Sequence, residues 1–294
     1  MEQHIIADSE LIITPQGHIY HLDLHPEELA TTIITVGDPN RVAEVSKYFS
    51  KIEVKRAHRE FVTHTGEYNG KRISVVATGI GPDNIDIVFN ELDALVNIDL
   101  KTRMIKEQFT ALDVVRMGTS GSLQGDIPCD SLVVGTHGIG LDNLLHYYQL
   151  ETPDELESLK AAFVEQVGLA NSRIVPYIAK GSEELLKKFD TNDGYHHGIT
   201  VTCPGFYAPQ GRQLRLPVAY PNLVNNLSIF KHDTHRITNF EMETSAIYGL
   251  GQLLGHNCLA VNTIVANRVN KTFSKDSAKG VDTMIEKSLH YLTK

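Results

Sequence analysis

The segment Asp113 to Gly125, DVVRMGTSGSLQG, joins an apolar run of strand character to one cation, Arg116, and then to the small residues Gly118, Thr119, Ser120, Gly121 and Ser122. Backbone N–H groups and hydroxyls can approach a ligand closely there, and a guanidinium grips an anion through two parallel N–H bonds. The chemistry such a stretch favours is the seating of a small tetrahedral oxyanion. Small polar residues in a row after a strand ordinarily turn the chain, so a turn is expected from Gly118 onward. A second cation stands in GDPNR, where Asp38 suits an N-cap and Pro39 a first helical residue. Arg41 then falls in the first turn of a helix, beside unpaired N–H groups and the positive dipole end. Phe206, Gln210, Gly211 and Arg212 lie in PGFYAPQGRQLRLP, which is too rich in Pro and Gly for a regular element. Glu241, Met242 and Glu243 sit at the expected start of a helix, where acids are ordinary decoration unless they serve a site.

The elements that must position these residues alternate in type. Thr31 to Gly37, Ile73 to Thr78, the run from Asp113, Ser131 to Gly140, His196 to Cys203 and Cys258 to Arg268 read as strands, several apolar enough to be buried on both faces. Helices are expected from Asp38, with Val42, Val45 and Phe49 inward, over Ile85 to Val96, Asn97 to Thr110, Thr152 to Gly168, Asn239 to Gly255 and Asp276 to Leu292. Strands alternating with helices define an α/β protein with a largely parallel or mixed sheet covered by helices. No internal repeat or linker interrupts the chain, so residues 1–294 are expected to form one domain with residues 1–20 as an N-terminal extension.

Composition narrows the partners. Among 294 residues, 27 basic side chains against 36 acidic ones give a net charge of -9. Nucleic acid and anionic membrane both demand a surplus of Lys and Arg, so neither is expected, and an anionic substrate needs a local basic pocket. Cys129, Cys203 and Cys258 are far apart and in no CxxC spacing, as in reduced cytoplasmic proteins. The N-terminus carries Glu2, Asp8 and Glu10 and shows no signal-peptide pattern. Thr244 to Asn267 lacks Asp, Glu, Lys and Arg, but its central Gly251, Gly255, His256 and Asn257 fit a buried helix, a turn and a buried strand rather than a membrane span. The His196–His197 pair, and His232 with His235 on an expected helix, have no carboxylate or cysteine partner at ligand spacing, so no metal site is expected. TGIGPDN lacks the third glycine of a dinucleotide-binding turn.

GDPNR, AHREF, VRMGTSG, FYAPQGR and FEMETSA, in this order between about His21 and Arg268, resemble the nucleoside phosphorylases of the purine nucleoside and uridine phosphorylase family. The resemblance implies a single domain with a mixed, partly barrel-like sheet flanked by helices. It implies that Gly37, Arg41, Arg59, Arg116, Met117, Gly118 and Thr119 hold inorganic phosphate, with Arg59 reaching the site of a neighbouring subunit. His21, Ser120, Gly121, Phe206, Gln210, Gly211, Arg212, Glu241, Met242, Glu243 and Arg268 would surround the nucleoside, His21 again across the interface. Arg41, Arg116, Gln210, Arg212 and Glu243 would carry catalysis, with Arg215 an alternative to Arg212. Purine-cleaving members carry an aspartate just after the last buried strand, whereas TIVANRVNK has Asn267 and Arg268 there, as uridine-cleaving members do. The implied activity is reversible phosphorolysis of uridine in pyrimidine nucleoside salvage. A homodimer is the implied minimal unit and a hexamer a larger assembly, with no cofactor apart from a monovalent cation allowed near Glu60. Another base preference, a water-using nucleosidase and a non-catalytic nucleoside binder are the competing readings.

Overall fold

The computed structural model describes residues 5–189 and 193–294, so Glu2 and the rest of residues 1–4 of the expected N-terminal extension lie outside it. Its strands are β1 (Thr32–Val36), β2 (Lys51–His58), β3 (Phe61–Tyr68), β4 (Lys71–Ala77), β5 (Ile98–Asp99), β6 (Met104–Ile105), β7 (Asp113–Ser122), β8 (Leu132–Gly140), β9 (Tyr177–Lys180), β10 (Tyr195–Thr202), β11 (Lys231–His232), β12 (His235–Glu241), β13 (Asn257–Asn267) and β14 (Thr272–Phe273). The α-helices are α1 (Pro39–Ser46), α2 (Pro82–Asn97), α3 (Asp154–Val167), α4 (Glu183–Leu186), α5 (Leu223–Ile229), α6 (Thr244–Leu254) and α7 (Ser277–Leu292).

One mixed sheet organises the chain. Its order is β11-β12-β10-β8-β13-β7-β1-β4-β3-β2, and an extra pairing of β12 with β7 closes β7, β13, β8, β10 and β12 into a ring. The closure is antiparallel and short, Asn239 opposite Ser122 and Phe240 opposite Gly121. Closure matters for function, because it draws the C-terminal halves of β7, β12 and β13 to one place. β1 runs parallel to both β4 and β7 and is buried along its whole length, which explains its continuous apolar, β-branched composition. Helices seal the faces: α1 buries Val42 and Val45 and α7 buries Val281, Met284, Ile285, Leu289 and Leu292. Full burial of each such side chain is worth about 1.5–3 kcal/mol.

Local chemistry starts and stops these elements as the residue types demand. The Asp38 side chain accepts from Asn40 N at 2.9 Å with Pro39 at the first helical position. Gly255 ends α6 in the left-handed region at φ 76°, so the uncharged run becomes a helix, a turn and β13. Among the described residues no helix is long and apolar enough to cross a membrane.

Four expectations give way. Residues 98–105 form the small β5–β6 hairpin rather than a helix, because Asp99 Oδ1 accepts from Lys101 N and Thr102 N and turns the chain. Gly118 to Ser122 do not turn; they extend β7, since β13 pairs along them, with one register shift between Ile264 and Ala266, and β12 closes on them. Asn239 to Glu241 end β12, and α6 begins only at Thr244. His232 and His235 are cross-strand partners on β11 and β12, not residues of a helix. The β2–β3 hairpin around AHREF has no hydrophobic signal, its first strand being half-exposed along its length.

His137 of β8 is buried, edge-on to His235 with ring centroids 5.0 Å apart. Burial first, then His235 and Lys180, pulls its imidazole from the ordinary 6.5 down to about 4. The unfolded chain takes up this proton below about pH 6.5 while the folded one resists until about pH 4. The stability contributed is therefore fully present above pH 6.5 and lost as pH falls through that window. His137→Gln should remove a loss on the order of 2 kcal/mol between pH 7 and pH 5. Urea midpoints at the two pH values check this: wild type should lose more than the variant, and equal losses would contradict the assignment.

Candidate active site

A cavity of about 770 Å³ opens where the ends of β1, β7, β12 and β13 converge. It gathers stretches far apart in the chain: Gly37 and Arg41; Arg116, Thr119, Ser120 and Gly121; Phe206, Gln210 and Arg212; and Glu241, Met242 and Glu243. Sequence reasoning missed several lining residues. Ile80, Asn84, Phe240, Val265, Ala266 and Phe273 face it without having been singled out, and Asp38 and Glu60, named above as a helix cap and as the neighbour of an allowed cation, line it too. The GIGPDN turn did signal a special backbone, and its Gly79 and Gly81, at φ 73° and 102°, flank Ile80 on the cavity wall.

The floor is cationic. Arg41 rises from the first turn of α1, and its Nη1 donates to Met117 O at 3.5 Å. Its Nε is buried without a hydrogen-bond partner, the nearest carboxylate oxygen being Glu44 Oε2 at 3.9 Å. Burial, then the like charge of Arg116, lowers the Arg41 pKa. Arg116 is only 6% exposed. Burial opposes its charge, but Glu243 and Glu241 outweigh that cost and raise its pKa. Arg116 Nη2 donates to Glu243 Oε2 and lies 3.3 Å from Glu241 Oε2, while Nη1 donates to Asn262 Oδ1 at 2.8 Å. The guanidinium folds back across Gly118, where an added Cβ would stand 1.6 Å from Nη1. Glycine is the residue that leaves this space.

The two acids have different duties. Glu241 accepts from Glu243 N at 2.9 Å, Thr244 N at 3.0 Å and Thr202 Oγ1 at 2.8 Å, which fastens the start of α6 to β10. Glu243 accepts from Gly81 N at 2.8 Å and from Arg116. Burial raises the Glu243 pKa, Arg116 pulls against it and Glu241 adds to it. Opposite the cations, Arg212 Nη1 donates to Gln210 Oε1 at 2.6 Å and to Phe206 O at 2.7 Å, with its guanidinium 3.8 Å from the Phe206 ring centroid. Arg268 Nη1 donates to Gln210 O at 3.0 Å. Gly211 turns this loop at φ 66°, and a Cβ there would lie 2.4 Å from Val224 Cγ2. Arg215 is exposed and does not line the cavity, so Arg212 is the loop arginine placed at the site.

Met117 and Gly118 lie in β7 beneath the floor, the Met117 side chain in the core. Gly211 and Arg268 stand behind the loop rather than on the cavity wall. His21 and Arg59 do not line the cavity of their own chain. His21 Nδ1 meets Glu91 Oε1 at 2.6 Å, and Arg59, exposed at φ 55°, lies 3.4 Å from Tyr20 Oη. Asn267 ties its own turn to the segment after β7, donating to Gln124 O and Ile127 O and accepting from Val269 N and Asn270 N.

The fold and this site define a class, and the chain belongs to the phosphorylase superfamily, whose family model matches residues 31–292. Particular relatives are close. A uridine phosphorylase of Escherichia coli strain K12 is 33% identical over 87% of this chain and 88% of its own. One of Thermococcus kodakarensis is 29% identical over 90% and 83%. The crystal structure of a Trypanosoma brucei nucleoside phosphorylase, described as showing uridine phosphorylase activity, superimposes with a TM-score of 0.88 at 33% identity, covering 96% of this chain and 99% of that one.

Glu241→Ala should lower stability by about 2–4 kcal/mol, the cost of an N-terminal helix acceptor plus buried donors left unpaired. Equilibrium denaturation measures it. An unchanged midpoint would mean that the carboxylate does not hold α6.

Proposed function

We propose that this protein is a uridine phosphorylase, a pentosyltransferase that reversibly converts uridine and phosphate to uracil and ribose 1-phosphate in pyrimidine nucleoside salvage. The observation that carries the reading is the pairing of a buried Arg116 with a largely covered Arg41, two like charges on one cavity floor, Arg41 with a buried, unpartnered Nε. A phosphate dianion satisfies both. The similarity to uridine phosphorylases over most of the chain supports the choice of nucleoside.

The chemistry follows from the geometry. Phosphate on the arginines is desolvated and aimed as a nucleophile, which removes the entropy of a bimolecular encounter. A phosphate oxygen forms the new bond to the anomeric carbon as the carbon–nitrogen bond to uracil breaks and its electron pair leaves with the base. The ribosyl group becomes cationic on the way. Glu243, poised between Gly81 N and Arg116, binds sugar hydroxyls and its negative charge favours that cation. Gln210 and Arg212, locked to each other and braced by Arg268, take up the charge on the departing base, an oxyanion-hole role. Phe206 and Phe240 supply apolar walls for a planar ring. The reaction needs no protein nucleophile, metal or bound cofactor; a structural monovalent cation near Glu60 is compatible with it. We infer a cytoplasmic enzyme: its cysteines are free and burial pushes the Cys203 and Cys258 thiols far up, so they stay inert. A homodimer is the smallest complete unit, with His21 and Arg59 serving the neighbouring site, and a hexamer is a larger assembly of such pairs.

Release of free base from uridine, thymidine, inosine and adenosine, with and without phosphate, tests this directly. Uracil release should require phosphate. Arg41→Ala should lower it by roughly 10² to 10³, the usual loss for one charge partner of a transition state. Release independent of phosphate would indicate hydrolysis, and an unchanged rate in the variant would remove Arg41 from the mechanism.

A further inference from the structure

Asn262 belongs to none of the motifs that carry the family resemblance, yet it touches the centre of the site. It lies on β13 opposite Gly118 of β7, with 0% exposure. Its Oδ1 accepts from Arg116 Nη1 at 2.8 Å, while Glu243 accepts from Nη2 on the other side. A Cβ at Gly118 would fall 2.8 Å from Asn262 Oδ1 as well as 1.6 Å from Arg116 Nη1, so Gly118 and Asn262 together form the slot that receives the guanidinium. Asn262 Nδ2 is buried without a hydrogen-bond partner. An unpaired buried amide is a standing cost that an apolar residue of the same shape would avoid. The amide is placed for its oxygen.

We propose that Asn262 is a positioning residue for phosphate, acting through Arg116; the proposal rests on the phosphorolysis reading of this cleft. Arg116 faces two carboxylates, Glu243 and Glu241, on one side. Left to them, a guanidinium turns both ends of its fork onto carboxylate oxygens. Asn262 holds one end of the fork away from the acids and keeps the plane open to the cavity floor shared with Arg41. A neutral acceptor is the right group for this task. An aspartate at 262 would orient the guanidinium equally well but would cancel charge that the phosphate needs.

Asn262→Leu, which keeps the volume and removes the acceptor, tests the assignment, with Asn262→Ala as the second variant should leucine not fold. Initial rates are measured with phosphate varied at saturating uridine and with uridine varied at saturating phosphate, together with the thermal shift produced by inorganic phosphate. The expected result is a phosphate KM raised about tenfold or more with a lower kcat, a uridine KM changed by less than about threefold, and a smaller phosphate-induced shift at little change in the unliganded melting temperature. Wild-type kinetics in a folded variant, or equal losses toward both substrates with a lowered melting temperature, would overturn the positioning role alone. Uracil release by the wild type without phosphate would overturn it together with the reading on which it rests.

Discussion

Two guanidinium groups, on α1 and β7, share one poorly solvated floor, and the rest of the site is arranged around that repulsion. Burial weakens the hold of each on its proton, and Arg116 adds a like charge against Arg41. Glu243 and Glu241 steady Arg116 but leave Arg41 with a distant Glu44 and a carbonyl at 3.5 Å. A folded protein keeps such an arrangement where a ligand completes it.

Closure of the sheet supplies the geometry. Without the short β12–β7 pairing, Glu241 and Glu243 would hang from a sheet edge, remote from Arg116. With it, β7, β12 and β13 meet; β13 brings Val265 and Ala266 to the cavity wall and Asn262 against Arg116. Rigid strands and the starts of two helices thus present the charged groups, while the loop from Phe206 to Arg212, which holds a single 3-10 turn at Ala208–Gln210, presents the groups we assign to the base. The division suits the chemistry: phosphate and sugar require fixed positions, whereas a planar base can be gripped by a loop stiffened through Gln210, Arg212 and Arg268.

Much of this was legible in the residues. Asp38 and Pro39 announced α1, the apolar runs announced β1, β4, β7 and β13, and Gly255 announced the end of α6, because capping, burial and positive φ leave local marks. The strand character of Gly118 to Ser122 and the β2–β3 hairpin did not show, since pairing across the sheet decided them and no single segment records its partner; the β5–β6 hairpin, a separate pair turned by Asp99, was hidden in a helix-like stretch. The stretches with Arg41, Arg116, Gln210 and Glu243 stood out by residue type. Asn262 did not: a polar residue inside an apolar strand looks like a minor defect until the guanidinium it braces is seen beside it. Gly118 likewise reads as a turn residue, and only the folded Arg116 side chain shows why it must be small.

The account depends on a phosphate bridging Arg41 and Arg116, so a crystal structure determined with phosphate and uracil present is the most direct test. It should show a tetrahedral anion about 2.7–3.0 Å from nitrogens of both guanidiniums, with uracil held between Gln210, Arg212 and Phe206. Arg41 and Arg116 directed away from a shared cleft, or an anion bound elsewhere while this floor carried none, would contradict it.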